Sequence, residues 1–201
     1  MQAKYICRVA ATVLLAGLAS TAQAHTGHGT HSLMEGLAHP LGLDHLLAMM
    51  AVGVWSVSAL PPGRVWWGPA VFMCGLVASA ALGVAGVRVP FLEHAISLSV
   101  VLFGLMLLAA NRRMPMGLGL GLIAAASSLH GLAHGAETPD NGFASYAAGF
   151  LLTTAALHIG GVGVGLSIRR WLAAKRRGVV LNGLGVAIGA AGIYLFGHLA
   201  A

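Results

Sequence analysis

The chain has 201 residues, of which 58% are hydrophobic and 8% are charged, and its mean hydropathy is +0.85. A water-soluble domain of this length needs more charge to cover its surface, so the composition indicates a protein that lies in the lipid bilayer. The net charge of +6 could suggest nucleic-acid binding. However, the basic residues lie in short clusters between apolar runs, a pattern that excludes a continuous basic surface and favours a role in membrane orientation.

The first 24 residues have the pattern of a cleaved signal peptide. Lys4 and Arg8 give a positive start, eleven apolar residues follow, and residues 22–24 (Ala-Gln-Ala) have the small-x-small pattern of a cleavage site. Eleven residues are too few to cross about 30 Å of hydrocarbon. We therefore predict cleavage after Ala24, which makes His25 the periplasmic N-terminus of a protein of the bacterial inner membrane. An uncleaved short anchor is the alternative.

Six apolar runs follow the predicted leader, and each is long enough to span a membrane. They cover residues 36–60, 67–86, 91–110, 116–135, 143–168 and 179–199. We therefore predict an all-α polytopic membrane protein with six transmembrane helices. In this organisation a His-rich periplasmic segment, residues 25–35, precedes one transport domain, residues 36–201.

The breaks between the runs carry an uneven distribution of positive charge. With the mature N-terminus outside, the breaks after the first, third and fifth spans face the cytoplasm and hold eight Lys or Arg residues, whereas the outer breaks hold only Arg88. This asymmetry obeys the positive-inside rule and predicts that both termini are periplasmic. Two G-x-x-x-G stretches, residues 117–121 and 161–165, indicate close helix packing. We interpret them as packing within the chain, with a homo-oligomer as the alternative.

Ionisable side chains inside apolar runs are the most informative residues, because each costs roughly 2.5–3.5 kcal/mol on insertion scales. All five acidic residues and nine of the ten histidines map to the outer half of the membrane or to outer loops. Imidazole and carboxylate together suit first-row divalent ions, so their gathering at one depth predicts a metal or proton path. The candidate ligands in and beside the runs are His39, Asp44, His45, Glu93, His130, His134, Glu137 and His158.

The end of the fourth run is the clearest of these constellations. At ~100° per residue, positions 130, 134 and 137 fall within about 60° of one another on one helical stripe. Taken alone, His45 or His158 is better interpreted as a hydrogen-bonded core histidine. The predicted N-terminus adds His25, with further histidines at positions 28 and 31, and this segment is either a capture arm or an inert remnant.

Two stretches resemble the signature motifs of the HupE/UreJ family: HPLGLDHLLAMMAVGVWS in the first run and LHGLAHGAE at the end of the fourth. The six-span layout is similar as well, so the resemblance covers essentially the whole chain. It implies a nickel or cobalt permease linked to hydrogenase or urease maturation. This chain has four residues between His39 and Asp44, whereas the family usually has five, so the register of His39 depends on the turn at Pro40. The metal-handling residues that the resemblance implies are His39, Asp44, His45, Glu93, His130, His134 and Glu137.

These observations favour uptake of a divalent ion from the periplasm. The ion is expected to be collected at the outer rim, dehydrated among the histidines and Asp44, and passed inward toward His158. Nickel and cobalt both suit these donors, and we expect no enzymatic activity and no permanent cofactor. Two alternatives remain: a membrane-embedded zinc-type metallohydrolase that uses the His130–His134 pair, and an accessory metal-binding protein that delivers the ion without transporting it.

Overall fold

The structure is a computed structural model that describes residues 33–110, 114–136 and 143–199. All of the regular structure in these ranges is helical, as the composition predicts. The predicted signal peptide, His25 and Glu137 lie outside the described residues, so their roles stay predictions.

Seven α-helices and two short 3-10 helices follow one another in the described ranges. They are α1 (Leu33–Ala38), η1 (His39–Leu41), α2 (Leu43–Ala59), η2 (Pro62–Arg64), α3 (Trp67–Val84), α4 (Leu92–Leu108), α5 (Met116–Ala136), α6 (Phe143–Trp171) and α7 (Ala174–Leu199). Each of the six apolar runs of the sequence therefore corresponds to a helix, or to a helix pair in the case of the first run.

The described helices include four that are long and apolar enough to cross a membrane: α3, α5, α6 and α7. The bent pair formed by α1–η1 and α2 adds a fifth span when the pair is counted as one. The chain is thus a membrane protein, and the described residues hold four to five candidate spans. Helix α4 is apolar but has 17 residues, which is the lower limit for a span, so the sixth span stays a prediction.

The first predicted span is broken near its N-terminal end. Pro40 lacks the amide hydrogen that a continuous helix uses, and Gly42 is extended, with φ −52° and ψ 144°. The amide of Gly42 donates to the carbonyl oxygen of His39 at 3.1 Å, which closes a tight turn. The direction of the helix axis changes by 71° across the break. The first apolar run therefore forms two helical segments that run in different directions.

Helix α2 is the central element and packs against α3, α4 and α6, while α3 pairs with α5 and α4 pairs with α7. Glycines allow these close crossings. A Cβ atom on Gly53 of α2 would lie 2.6 Å from the backbone nitrogen of Val162 on α6. Gly161 and Gly165 likewise face the backbone and side chains of α2, so this G-x-x-x-G stretch packs within the chain as predicted. The stretch at residues 117–121 differs, because its first and last glycines face open space.

Candidate metal centre

Three imidazoles converge where the first span is broken. His39 on η1, His45 on α2 and His134 on α5 each offer one ligand atom, and these atoms all lie within 4.8 Å of one another. Their ring centroids are 4.7 Å apart for His39–His134, 5.0 Å for His45–His134 and 5.5 Å for His39–His45. Nitrogens bound to one ion at about 2.1 Å lie about 3–3.5 Å apart, so small ring rotations would close this histidine triad around an ion.

The break in the first span explains how His39 and His45 meet. Six residues apart on an unbroken helix, they would be displaced by about 9 Å along the axis and by about 120° around it. The 71° bend brings their rings to 5.5 Å instead. The four-residue spacing between His39 and Asp44 is therefore accommodated by the turn at Pro40. His134 comes from the other side, where its ring stacks on Phe150 of α6 at 4.5 Å and 3°.

The three imidazoles of the histidine triad differ in their exposed fraction. His134 and His45 are 1% and 6% exposed, whereas His39 is half-buried and its ring lies 5.9 Å from that of Tyr146. His39 is therefore the member of the triad that solvent reaches most easily, while the protein encloses the other two imidazoles.

Asp44 lies behind His45. Its Oδ1 accepts a hydrogen bond from the backbone amide of His45 at 2.8 Å and lies 3.0 Å from His45 Nδ1. A carboxylate oxygen can only accept, so Nδ1 carries the hydrogen and Nε2 carries the lone pair. This is the carboxylate–histidine arrangement that orients imidazole ligands at metal sites. The structure thus places Asp44 outside the triad, beside one of its members.

His130 and His158 are two further buried imidazoles in the helix bundle. The His130 ring is 4.7 Å from that of His45, is fully buried, and its Nε2 lies 2.9 Å from Ser99 Oγ of α4. His158 on α6 is 2% exposed, and its Nδ1 lies 2.8 Å from the backbone oxygen of Thr154. The ring of Phe72 contacts both imidazoles, with centroids 5.6 Å from His130 and 4.9 Å from His158.

Glu93 lies in the first turn of α4 and is half-buried. Its backbone oxygen accepts a hydrogen bond from Ser97 Oγ at 3.0 Å. It is not a member of the triad, and it lies on the same helix as Ser99, which contacts His130. The structure therefore brings together His39, His45, His130 and His134, with Asp44 beside them, and places Glu93 and His158 outside this group.

Comparison with known proteins decides the family. The family model described as HupE / UreJ protein matches residues 13–195. Protein HupE of Rhizobium leguminosarum bv. viciae is 36% identical over 190 residues, which cover 94% of this chain and 96% of that protein. The chain belongs to the HupE/UreJ family. No solved structure matches it.

The HupE/UreJ family is associated with nickel or cobalt uptake, or with hydrogenase and urease maturation, and its members are transport or accessory proteins. Membership confirms the resemblance on which the sequence interpretation drew. The first HupE/UreJ motif supplies two members of the triad and the second motif supplies the third, so the fold joins the two motifs into one site.

Several residues of this HupE/UreJ site were missed in the sequence interpretation. Ser99, Phe72 and Phe150 contact the imidazoles, yet each occupies an apolar run in which it resembles an ordinary packing residue. The serine carried a weak signal, because a hydroxyl at the depth of the histidines is a plausible partner for one of them. The two phenylalanines gave no signal in the sequence that sets them apart from packing residues.

Proposed function

We propose that this HupE/UreJ protein takes up a divalent transition-metal ion, nickel or cobalt, from the periplasmic side of the membrane. The observation that supports uptake is the histidine triad itself. Ligand atoms from three separate helical segments lie within 4.8 Å of one another, two of the imidazoles are buried, and the third, His39, is half-buried. A structural hydrogen-bond network does not need three imidazoles whose ligand atoms converge.

The chemistry of the donors fits ion dehydration. Imidazole nitrogens replace the water ligands of a first-row divalent ion, and the Asp44 carboxylate offsets its charge in a medium of low dielectric. Glu93, Glu137 and His25 are proposed to collect the ion at the rim before it reaches the triad. His130 and His158 are proposed to receive it afterwards.

The donor set also bears on the identity of the ion. The triad is made of nitrogen donors alone, and Cys74, the free cysteine of the described residues, is exposed on α3. Soft thiolate ligands select copper(I), whereas imidazoles suit several first-row ions, among them nickel, zinc and copper. The association of the family selects among these ions, and we propose Ni²⁺ or Co²⁺ as the transported ion.

Uptake is tested with purified protein in proteoliposomes that contain a nickel-sensitive dye. We expect nickel influx with the wild type, and its loss in His45→Ala and His134→Ala. The matched control is His198→Ala, because His198 is exposed on α7, stacks on Tyr194 and is not a member of the triad. Influx in the two triad variants equal to that of His198→Ala would overturn the proposal. Nickel binding by the wild type without influx would replace uptake with the accessory role.

A further inference from the structure

The hydrogen-bond partners of His130 fix which of its nitrogens can bind an ion. Ser99 Oγ has one hydrogen and donates it to the backbone oxygen of Ile96 at 2.7 Å. Its contact with His130 at 2.9 Å must therefore be a hydrogen bond that His130 Nε2–H donates. The lone pair then lies on Nδ1. That atom is fully buried and has no hydrogen-bond partner among the described residues.

The lone pair of the His158 ring can be assigned in the same way, and it lies on the other ring nitrogen. The backbone oxygen of Thr154 can only accept, so the contact at 2.8 Å requires that His158 Nδ1 carries the hydrogen. The lone pair lies on Nε2, which is buried and has no hydrogen-bond partner within the described parts of the chain. A buried acceptor without a partner destabilises a fold, and the two imidazoles that carry these acceptors both contact the ring of Phe72.

We infer that the transported ion has a second binding position, deeper than the histidine triad, at which His130 Nδ1 and His158 Nε2 are the ligand atoms. In both residues the other ring nitrogen donates to a fixed oxygen, which is how proteins hold imidazole ligands in one tautomer. Ser99 is accordingly a positioning residue, because it acts on the ion through His130. This inference rests on the proposed uptake function.

Phe72 contacts both imidazoles of the proposed inner position. Its ring is completely buried, contacts His130 on one helix and His158 on another, and offers no ligand atom. Because the ring touches both imidazoles, the proposal includes Phe72 as an apolar barrier that an ion passes between His130 and His158.

The test combines nickel titration of the purified protein in nanodiscs with nickel influx into proteoliposomes. In His158→Ala we expect affinity at the triad to stay within about twofold of the wild type, while influx falls by about tenfold or more. Ser99→Ala should likewise keep the affinity of the triad and lose influx. Ser99→Thr, which keeps the hydroxyl, should retain influx. Retained binding at the triad shows that a variant is folded. If His158→Ala also loses nickel binding at the triad, the same measurements are made on His158→Gln, whose side chain is closer in size to histidine.

Phe72→Leu should raise nickel influx, because a smaller side chain opens the route. Phe103→Leu is the matched control, since its ring is equally buried and lies 6.4 Å from that of Phe72. Wild-type influx in His158→Ala would overturn the inner position, and equal influx in Phe72→Leu and Phe103→Leu would overturn the barrier role of Phe72, while uptake itself stands in both cases. A wild-type protein that moves no nickel would instead refute uptake.

Discussion

Replacement of Gly131 by alanine tests whether the close contact between α3 and α5 holds the histidine triad together. Gly131 lies between His130 and His134 in sequence, and its Cβ would meet the backbone oxygen of Leu76 and the hydroxyl of Ser79, with the carbonyl carbon of Leu76 at 2.9 Å. Ordinary contact begins at 3.4 Å, so α5 must move away from α3 by at least about 0.5 Å. A binding site tolerates displacements of only about 0.5 Å.

We therefore expect Gly131→Ala to lower stability by about 1–3 kcal/mol through overpacking and to weaken nickel binding by about tenfold. Gly121→Ala is the control, because it makes the same change on α5 where a Cβ meets nothing within 4 Å. Nickel titration and thermal unfolding of the two variants in nanodiscs measure both effects. Equal affinity and equal thermal midpoints in the two variants would show that the α3–α5 contact does not position His134.

Three further predictions concern the ion itself. His45→Ala should weaken nickel binding about 10²–10³-fold in a calorimetric titration, because structural zinc sites gain about 10–16 kcal/mol from four ligands. Asp44→Asn should weaken nickel binding about 10–100-fold, as expected when the hydrogen-bond partner of a ligand is changed. Equal losses of affinity in Asp44→Asn and His45→Ala would instead indicate that Asp44 is a direct ligand. Saturating nickel, at about 100 times its Kd, should stabilise the protein by about 2.7 kcal/mol in thermal unfolding, and a chelator should reverse this gain.

The helices could be predicted from the sequence because each depends on a local property. A run of apolar residues must be helical inside a bilayer, since each backbone group has to be hydrogen-bonded within its own segment. The predicted runs at residues 67–86 and 116–135 accordingly coincide closely with α3 (Trp67–Val84) and α5 (Met116–Ala136). The end of α6 at Trp171 and the start of α7 at Ala174 were less predictable, because the basic residues of the predicted break continue both helices.

The membership of the candidate site was predictable, but its geometry was not. Ionisable residues in apolar runs stand out, so His39, His45 and His134 could be selected from the sequence. Whether their donor atoms meet depends on the angle between helices, which no local pattern encodes. Asp44 illustrates the limit, because its neighbour His45 engages the carboxylate and places it beside the triad. Phe72 illustrates it further, since a phenylalanine becomes informative only when the rings that it contacts are known.

The broken helix links the fold to the proposed chemistry. Irregular backbone within a membrane is tolerated where it is buried in protein or lines a cavity, and here the break at Gly42 lies beside the imidazoles of the triad. An unbroken helix would satisfy the backbone better but would place His39 and His45 on different faces. The bend therefore interrupts regular backbone hydrogen bonding but brings the ligand atoms of His39 and His45 together. Helix α5 supplies the third ligand atom, from His134. Because His39 lies before the break and His45 after it, any change in the bend alters the distance between these two donors and hence the affinity of the triad for an ion.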